Sequence, residues 1–105
     1  MKEIKTILER IKKSVAVTAP GSTIILYGSF ARGDNHKESD LDILILVEKD
    51  KIDWESGKKI RYPLYDIEFE TGQLISPMVK PKKEWYGKYK ATPFFQNVTT
   101  DGIIL

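Results

Sequence analysis

The sequence predicts an α+β fold, a small mixed β-sheet flanked by helices. Two short, β-branched, nearly all-apolar runs, STIILYG and LDILILV, read as buried strands. Buried strands imply a sheet with helices over at least one face. Ahead of them Ile4, Ile7, Leu8, Ile11 and Val15 recur at three- and four-residue steps among lysines and glutamates. That spacing is an amphipathic helix, and Pro20-Gly21 ends it.

The first strand run closes at Gly28, and the second runs into the polar turn EKDK. Ile60, Leu64 and Ile67 then fit a helical stripe, with Pro63 in the first turn of the helix and Gly72 as its stop. LISPMV is a third strand, in which Pro77 favours an edge position or a bulge. The tail ATPFFQNVTTDGIIL holds a short helix after Pro93. The expected order is helix, strand, strand, helix, strand and a mixed tail, with no repeat, low-complexity run or linker.

The chain has 105 residues, 41% hydrophobic and 30% charged, which suits one domain spanning residues 1–105 with a single core. A net charge of +2 does not imply a general nucleic-acid coat. The absence of cysteine excludes disulfides, thiolate metal sites and cysteine nucleophiles. The start MKEIKTILERIKKSVAV lacks the uncharged apolar run of a signal peptide. No segment approaches the roughly 20 apolar residues of a membrane span. A cytoplasmic location is the expectation.

The informative stretch is GSFARGDNHKESDLDILILV, residues 28–47. Side chains two apart in a strand share a face, so Asp40 and Asp42 present two carboxylates together. Such a pair repels, and at least one pKa rises unless a cation stands between them. A hard divalent ion such as Mg²⁺ takes oxygen ligands and shares its other positions with water and phosphate. Gly28 lets backbone amides approach an anion, and a helix starting over Ser29 to Gly33 would offer free N–H groups to a phosphate. Ser29 adds a hydroxyl donor and Arg32 a fixed charge suited to phosphate oxygens.

Each part alone has an ordinary explanation. Gly28-Ser29 is a common turn, Asp40 after Ser39 is common turn chemistry, and Arg32 suits any surface. The combination is harder to dismiss, because Asp42 interrupts an otherwise apolar strand where an unpartnered carboxylate is costly. His36, the only histidine, reads as a surface residue of a polar loop.

Gly28-Ser29, Arg32-Gly33 and Ser39-Asp40-x-Asp42 together resemble the signature of the nucleotidyltransferase superfamily related to DNA polymerase beta. More narrowly, the chain resembles the minimal nucleotidyltransferases of bacteria and archaea. The resemblance implies a polymerase beta-like nucleotidyltransferase fold. It implies that Gly28, Ser29, Arg32, Gly33 and Ser39 bind the nucleotide, and that Asp40 and Asp42 are catalytic and hold Mg²⁺ or Mn²⁺. The implied reaction transfers a nucleoside monophosphate from an NTP, expected to be ATP, to a hydroxyl on a protein or RNA partner.

Two departures accompany the resemblance. Active members of the superfamily carry a third carboxylate on a later strand, whereas LISPMVK has no acid and sets Ser76 near the expected position. Asp66, Glu68 and Glu70 lie nearby but read as a solvated helix face. Larger relatives also use an extra domain to hold the acceptor, so the acceptor platform is expected from a partner or a second copy. The resemblance suggests a helical HEPN-type toxin as that partner. It leaves open a catalytically weak or inactive module that acts by binding, as an antitoxin. Trp54, Trp85, Tyr86, Phe94 and Phe95 are candidate contact residues, with core packing the commoner use of such side chains.

Overall fold

The computed structural model describes residues 3–105. Five helices and four strands follow one another as α1 (Ile4–Thr18), β1 (Thr23–Tyr27), α2 (Ser29–Arg32), β2 (Leu41–Val47), α3 (Trp54–Thr71), β3 (Ile75–Pro81), α4 (Lys82–Tyr86), α5 (Pro93–Asp101) and β4 (Ile103–Ile104). A 3-10 turn, Lys88–Ala91, joins α4 to α5. The strands form one mixed sheet in the order β3-β2-β1-β4. β1 pairs antiparallel with both β2 and β4, and β2 pairs parallel with β3. The α+β architecture read from the sequence is therefore the one observed.

β2 is the centre of the molecule, and every one of its residues except Asp42 is buried. Its alternation divides the core in two. Leu41, Ile43, Ile45 and Val47 face the layer of α1 and α3, where Ile7, Ile11, Val15, Ile60, Leu64 and Ile67 close over them. Leu44 and Leu46 face the opposite layer, with Ile25 of β1, Trp85 of α4 and Val98 of α5. Full burial of such side chains stabilises by about 1.5–3 kcal/mol each, which makes this strand the main source of cohesion. β3 is an edge strand, where the missing N–H of Pro77 breaks no ladder on its open side.

One boundary of α3 follows from a glycine and the other from a cap. Gly72 ends α3 in the left-handed conformation, at φ 75°. The start of α3 corrects the sequence reading, which put Pro63 in the first turn: the helix begins at Trp54, and Pro63 lies well inside it. Asp53 sets that start, its Oδ1 accepting from the Ser56 N–H at 2.7 Å. The buried position in the early turns is Gly57, which contributes no apolar signal.

The aromatic residues of the tail divide by environment. Trp85 is 1% exposed, and its ring meets Phe94 at 5.4 Å, Phe95 at 5.0 Å and Tyr89 at 5.9 Å between centroids. Trp85, Phe94 and Phe95 therefore build the second core, whereas Trp54 and Tyr86 remain exposed. Trp85→Ala is expected to destabilise by about 3–5 kcal/mol in denaturant titration, because it removes the buried ring on which Tyr89, Phe94 and Phe95 pack. A loss under about 1 kcal/mol would show that the ring is not a core element.

Candidate functional site

The sheet collects the informative residues at one end. β1 runs toward that end, and β2, β3 and β4 start from it. Gly28 follows β1, Asp40 precedes β2, and Asp101 and Gly102 precede β4. The register places Tyr27, Asp42 and Ser76 side by side across three strands, on the face of the aromatic core.

Gly28 is at φ 75° and ψ −156°, a backbone region open essentially to glycine. A Cβ there would lie 2.2 Å from Asp42 Oδ2. The turn and the carboxylate thus touch, and only a residue without a side chain permits it. α2 begins at Ser29, so its first N–H groups have no acceptor within the helix. Gly33 closes this single turn at φ 80°, with its N–H donating to the Ser29 carbonyl at 2.9 Å.

Asp40 and Asp42 are close enough to sense each other. The carboxyl of Asp42 titrates above the ordinary aspartate range, first because burial penalises its charge and then because Asp40 repels it; Arg32 acts in the opposite direction. Tyr27 is likewise pushed up, by burial and then by Asp42. Arg32 faces several acids, with Nε at 3.2 Å from Asp34 Oδ2 and Nη1 at 3.9 Å from Asp101 Oδ2.

Ser76 completes the row with a neutral group. Its hydroxyl donates to Asp40 Oδ2 at 2.7 Å, and its register partner is Asp42. Of the nearby acids on α3, Glu68 accepts the Ile75 N–H at 2.8 Å, and Glu70 pairs with Arg10 on α1. Asp66 is exposed on the same helix, beside the α1 groove. Among the described residues no three His, Asp or Glu side chains gather as a metal-holding group.

Ser39 and the loop before β2 are held by a residue that sequence reasoning missed. Gln73 is 2% exposed, and its Nε2 donates to the carbonyls of Ser39 and Leu74, each at 2.9 Å. The Ser39 hydroxyl accepts the His36 N–H at 2.9 Å, and its own N–H donates to the His36 carbonyl. This mutual clasp shapes the approach to Asp40, while the His36 ring stays exposed. Asp101, the other missed residue, arrives through α5 from far along the chain, with no local signal.

Comparison with known proteins fits this geometry. Residues 1–92 match the nucleotidyltransferase domain family, and the chain belongs to it. A relative from Methanocaldococcus jannaschii named "Putative protein adenylyltransferase" is 37% identical, over 96% of this chain and 97% of its own length. A second protein of that organism, bearing the same name, is 35% identical over 78% of this chain and 75% of its own. Among solved structures, a chain from "Crystal structure of the toxin-antitoxin with AMP-PNP" shares the fold, with a TM-score of 0.64 at 23% identity. That match covers 91% of this chain and 69% of the other. No helix of the described residues is long and apolar enough to cross a membrane.

Two stability measurements test the site. Gly28→Ala is expected to cost about 1–3 kcal/mol from backbone strain alone, and more if Asp42 cannot move aside; an unchanged denaturation midpoint would refute the close contact. Asp42→Asn is expected to raise the melting temperature near pH 7. The folded-state pKa of Asp42 is raised, so the native state is favoured below the ordinary value of 3.8 and loses that advantage as pH rises through the folded value. The gain from asparagine should therefore vanish below pH 3.8, and a gain that is equal at all pH values would rule out this origin.

Proposed function

We propose that the chain binds an NTP, ATP foremost, together with Mg²⁺ or Mn²⁺, and transfers its nucleoside monophosphate to a hydroxyl of a partner protein. The observation that carries the reading is the contact of the Gly28 turn with Asp42, beside Asp40. On this reading a place for phosphate would lie against a place for a cation.

The donor set suits a hard ion. Asp40 and Asp42 offer charged oxygens; burial first, and then repulsion by Asp40, raise the pKa of Asp42, and a cation between the two carboxylates would offset both. When bound, such an ion orients phosphate oxygens and stabilises charge during in-line displacement. The first-turn amides and the Ser29 hydroxyl would take the phosphates, and Arg32 would supply a fixed positive charge. In the transfer the acceptor oxygen would bond to the α-phosphorus as that phosphorus loses its bond to the oxygen bridging to the β-phosphate; pyrophosphate would leave with the bonding electrons, and the hydroxyl proton would pass to solvent water. Ser76 holds Asp40 by a hydrogen bond and so orients one carboxylate. A protein acceptor is favoured over RNA by the relatives named as protein adenylyltransferases.

A second reading rests on the same serine. With a neutral hydroxyl beside Asp42, the site has one acid fewer than active members of the superfamily carry. The chain would then bind Mg–NTP with slow or no transfer and act through a toxin partner, in the manner suggested by the toxin–antitoxin neighbour. A HEPN-type helical protein is the partner proposed.

Calorimetric titration of ATP, with and without Mg²⁺, into the wild type, Asp42→Asn and Ser76→Asp tests both. Metal-dependent heat that disappears in Asp42→Asn is the expected result, and equal binding in that variant sinks the site. Ser76→Asp is expected to tighten the metal-dependent step. Transfer of labelled AMP by Ser76→Asp and not by the wild type would decide for the second reading.

A further inference from the structure

The outward face of α3 is aromatic where a solvated helix should be polar. Gly57, Ile60, Leu64 and Ile67 are buried against the core. On the other side Trp54, Lys58, Tyr62, Tyr65 and Phe69 follow at steps of four, four, three and four, which makes one stripe along the helix. Trp54 is 67% exposed, Tyr62 52%, Tyr65 38% and Phe69 91%. The stripe runs most of a helix about 27 Å long, at 18 residues and about 1.5 Å each. Contiguous apolar surface of this kind marks a contact site.

Charge along the same helix is divided. Lys58, Lys59 and Arg61 lie in its first half beside a single acid, Glu55, and Asp66, Glu68 and Glu70 lie in its second, which has no basic residue. Lys58 and Arg61 already lean over the stripe, with Lys58 Nζ 5.4 Å from the Tyr62 ring centroid and the Arg61 guanidinium 4.8 Å from that of Trp54. Among the described residues the one ion pair of Lys58 is a 3.8 Å contact with the exposed Glu55. Asp66 forms no ion pair among the described residues. Lys58 and Asp66 stand four residues on either side of Tyr62. A helix so divided complements itself when reversed.

We propose that two copies of this chain pair through α3, antiparallel, about a two-fold axis at Tyr62. That axis stacks Tyr62 on its counterpart and sets Trp54 against Phe69 of the second copy at both ends. It also joins Lys58 to the second copy's Asp66, twice. The arrangement is isologous, so it closes at two and leaves no open surface for a fibre. Antiparallel helices that keep contact along their length cross at about 20°. The proposal stands on α3 alone and is independent of the nucleotide reading.

Sedimentation over a range of protein concentrations tests it. The wild type is expected to show a monomer–dimer equilibrium. Phe69→Glu, at a nearly fully exposed position, is expected to weaken it at least about tenfold with unchanged circular dichroism. Lys58→Glu and Asp66→Lys should each weaken it, and the double variant should restore it. A wild type that stays monomeric at the highest soluble concentration overturns the proposal and leaves the stripe to a different partner. A dimer indifferent to Phe69→Glu, or a double variant no better than the singles, overturns it as well.

Discussion

The structure depends on how a carboxylate is tolerated on its most buried strand. β2 is closed on both faces, and burial of an unpartnered charge within it would cost several kcal/mol. Asp42 bears only part of that cost, because it lies one residue inside the strand, where the sheet ends and it is half-buried. Its neighbours are arranged around that fact. Gly28 places no side chain against it, burial and Asp42 keep Tyr27 protonated, Arg32 supplies opposite charge, and Ser76 presents a hydroxyl instead of a third negative group.

The two layers over the sheet serve this end differently. α1 and α3 cover one face along its length and hold β2 in place by aliphatic packing. The other face is covered by a compact aromatic group around Trp85, which meets Tyr27 of the site through Phe94 at 5.5 Å. The short helices α4 and α5 therefore leave the row Tyr27, Asp42 and Ser76 near an open rim. They also bring Asp101 back to Arg32, so the last helix is tied to the first turn of the site.

How much of this was legible in the sequence follows from the range of each interaction. α1, β1 and β2 could be read because their apolar periods are local and uninterrupted. The pairing of Asp40 with Asp42 and the turn at Gly28 were legible for the same reason, being contained within fifteen residues. Pro63 was misplaced because the early turns of α3 bury Gly57 and turn Trp54 outward, so the hydrophobic period is reversed there. α4 and β4 are too short to carry a period and exist through tertiary contact. Gln73 and Asp101 act across 34 and 69 positions of chain, on Ser39 and Arg32, and no local pattern announces either.

Electrostatics links the proposed cation to the proposed nucleotide. A triphosphate approaching Asp40 and Asp42 meets two charges of its own sign, and the available counter-charge on Arg32 is already shared with Asp34 and Asp101. The helix end at Ser29 contributes only partial positive charge, and from a single turn. On these terms phosphate and carboxylates repel unless a divalent ion lies between them, since at about 4 Å and an effective dielectric near 20 each like-charge pair costs about 4 kcal/mol. In the proposed function, nucleotide and metal would then bind as one species. Ser76 fits the same logic: a neutral hydroxyl on Asp40 lowers the negative charge that a bare phosphate would face, at the expense of the pull that a third acid would exert on the ion.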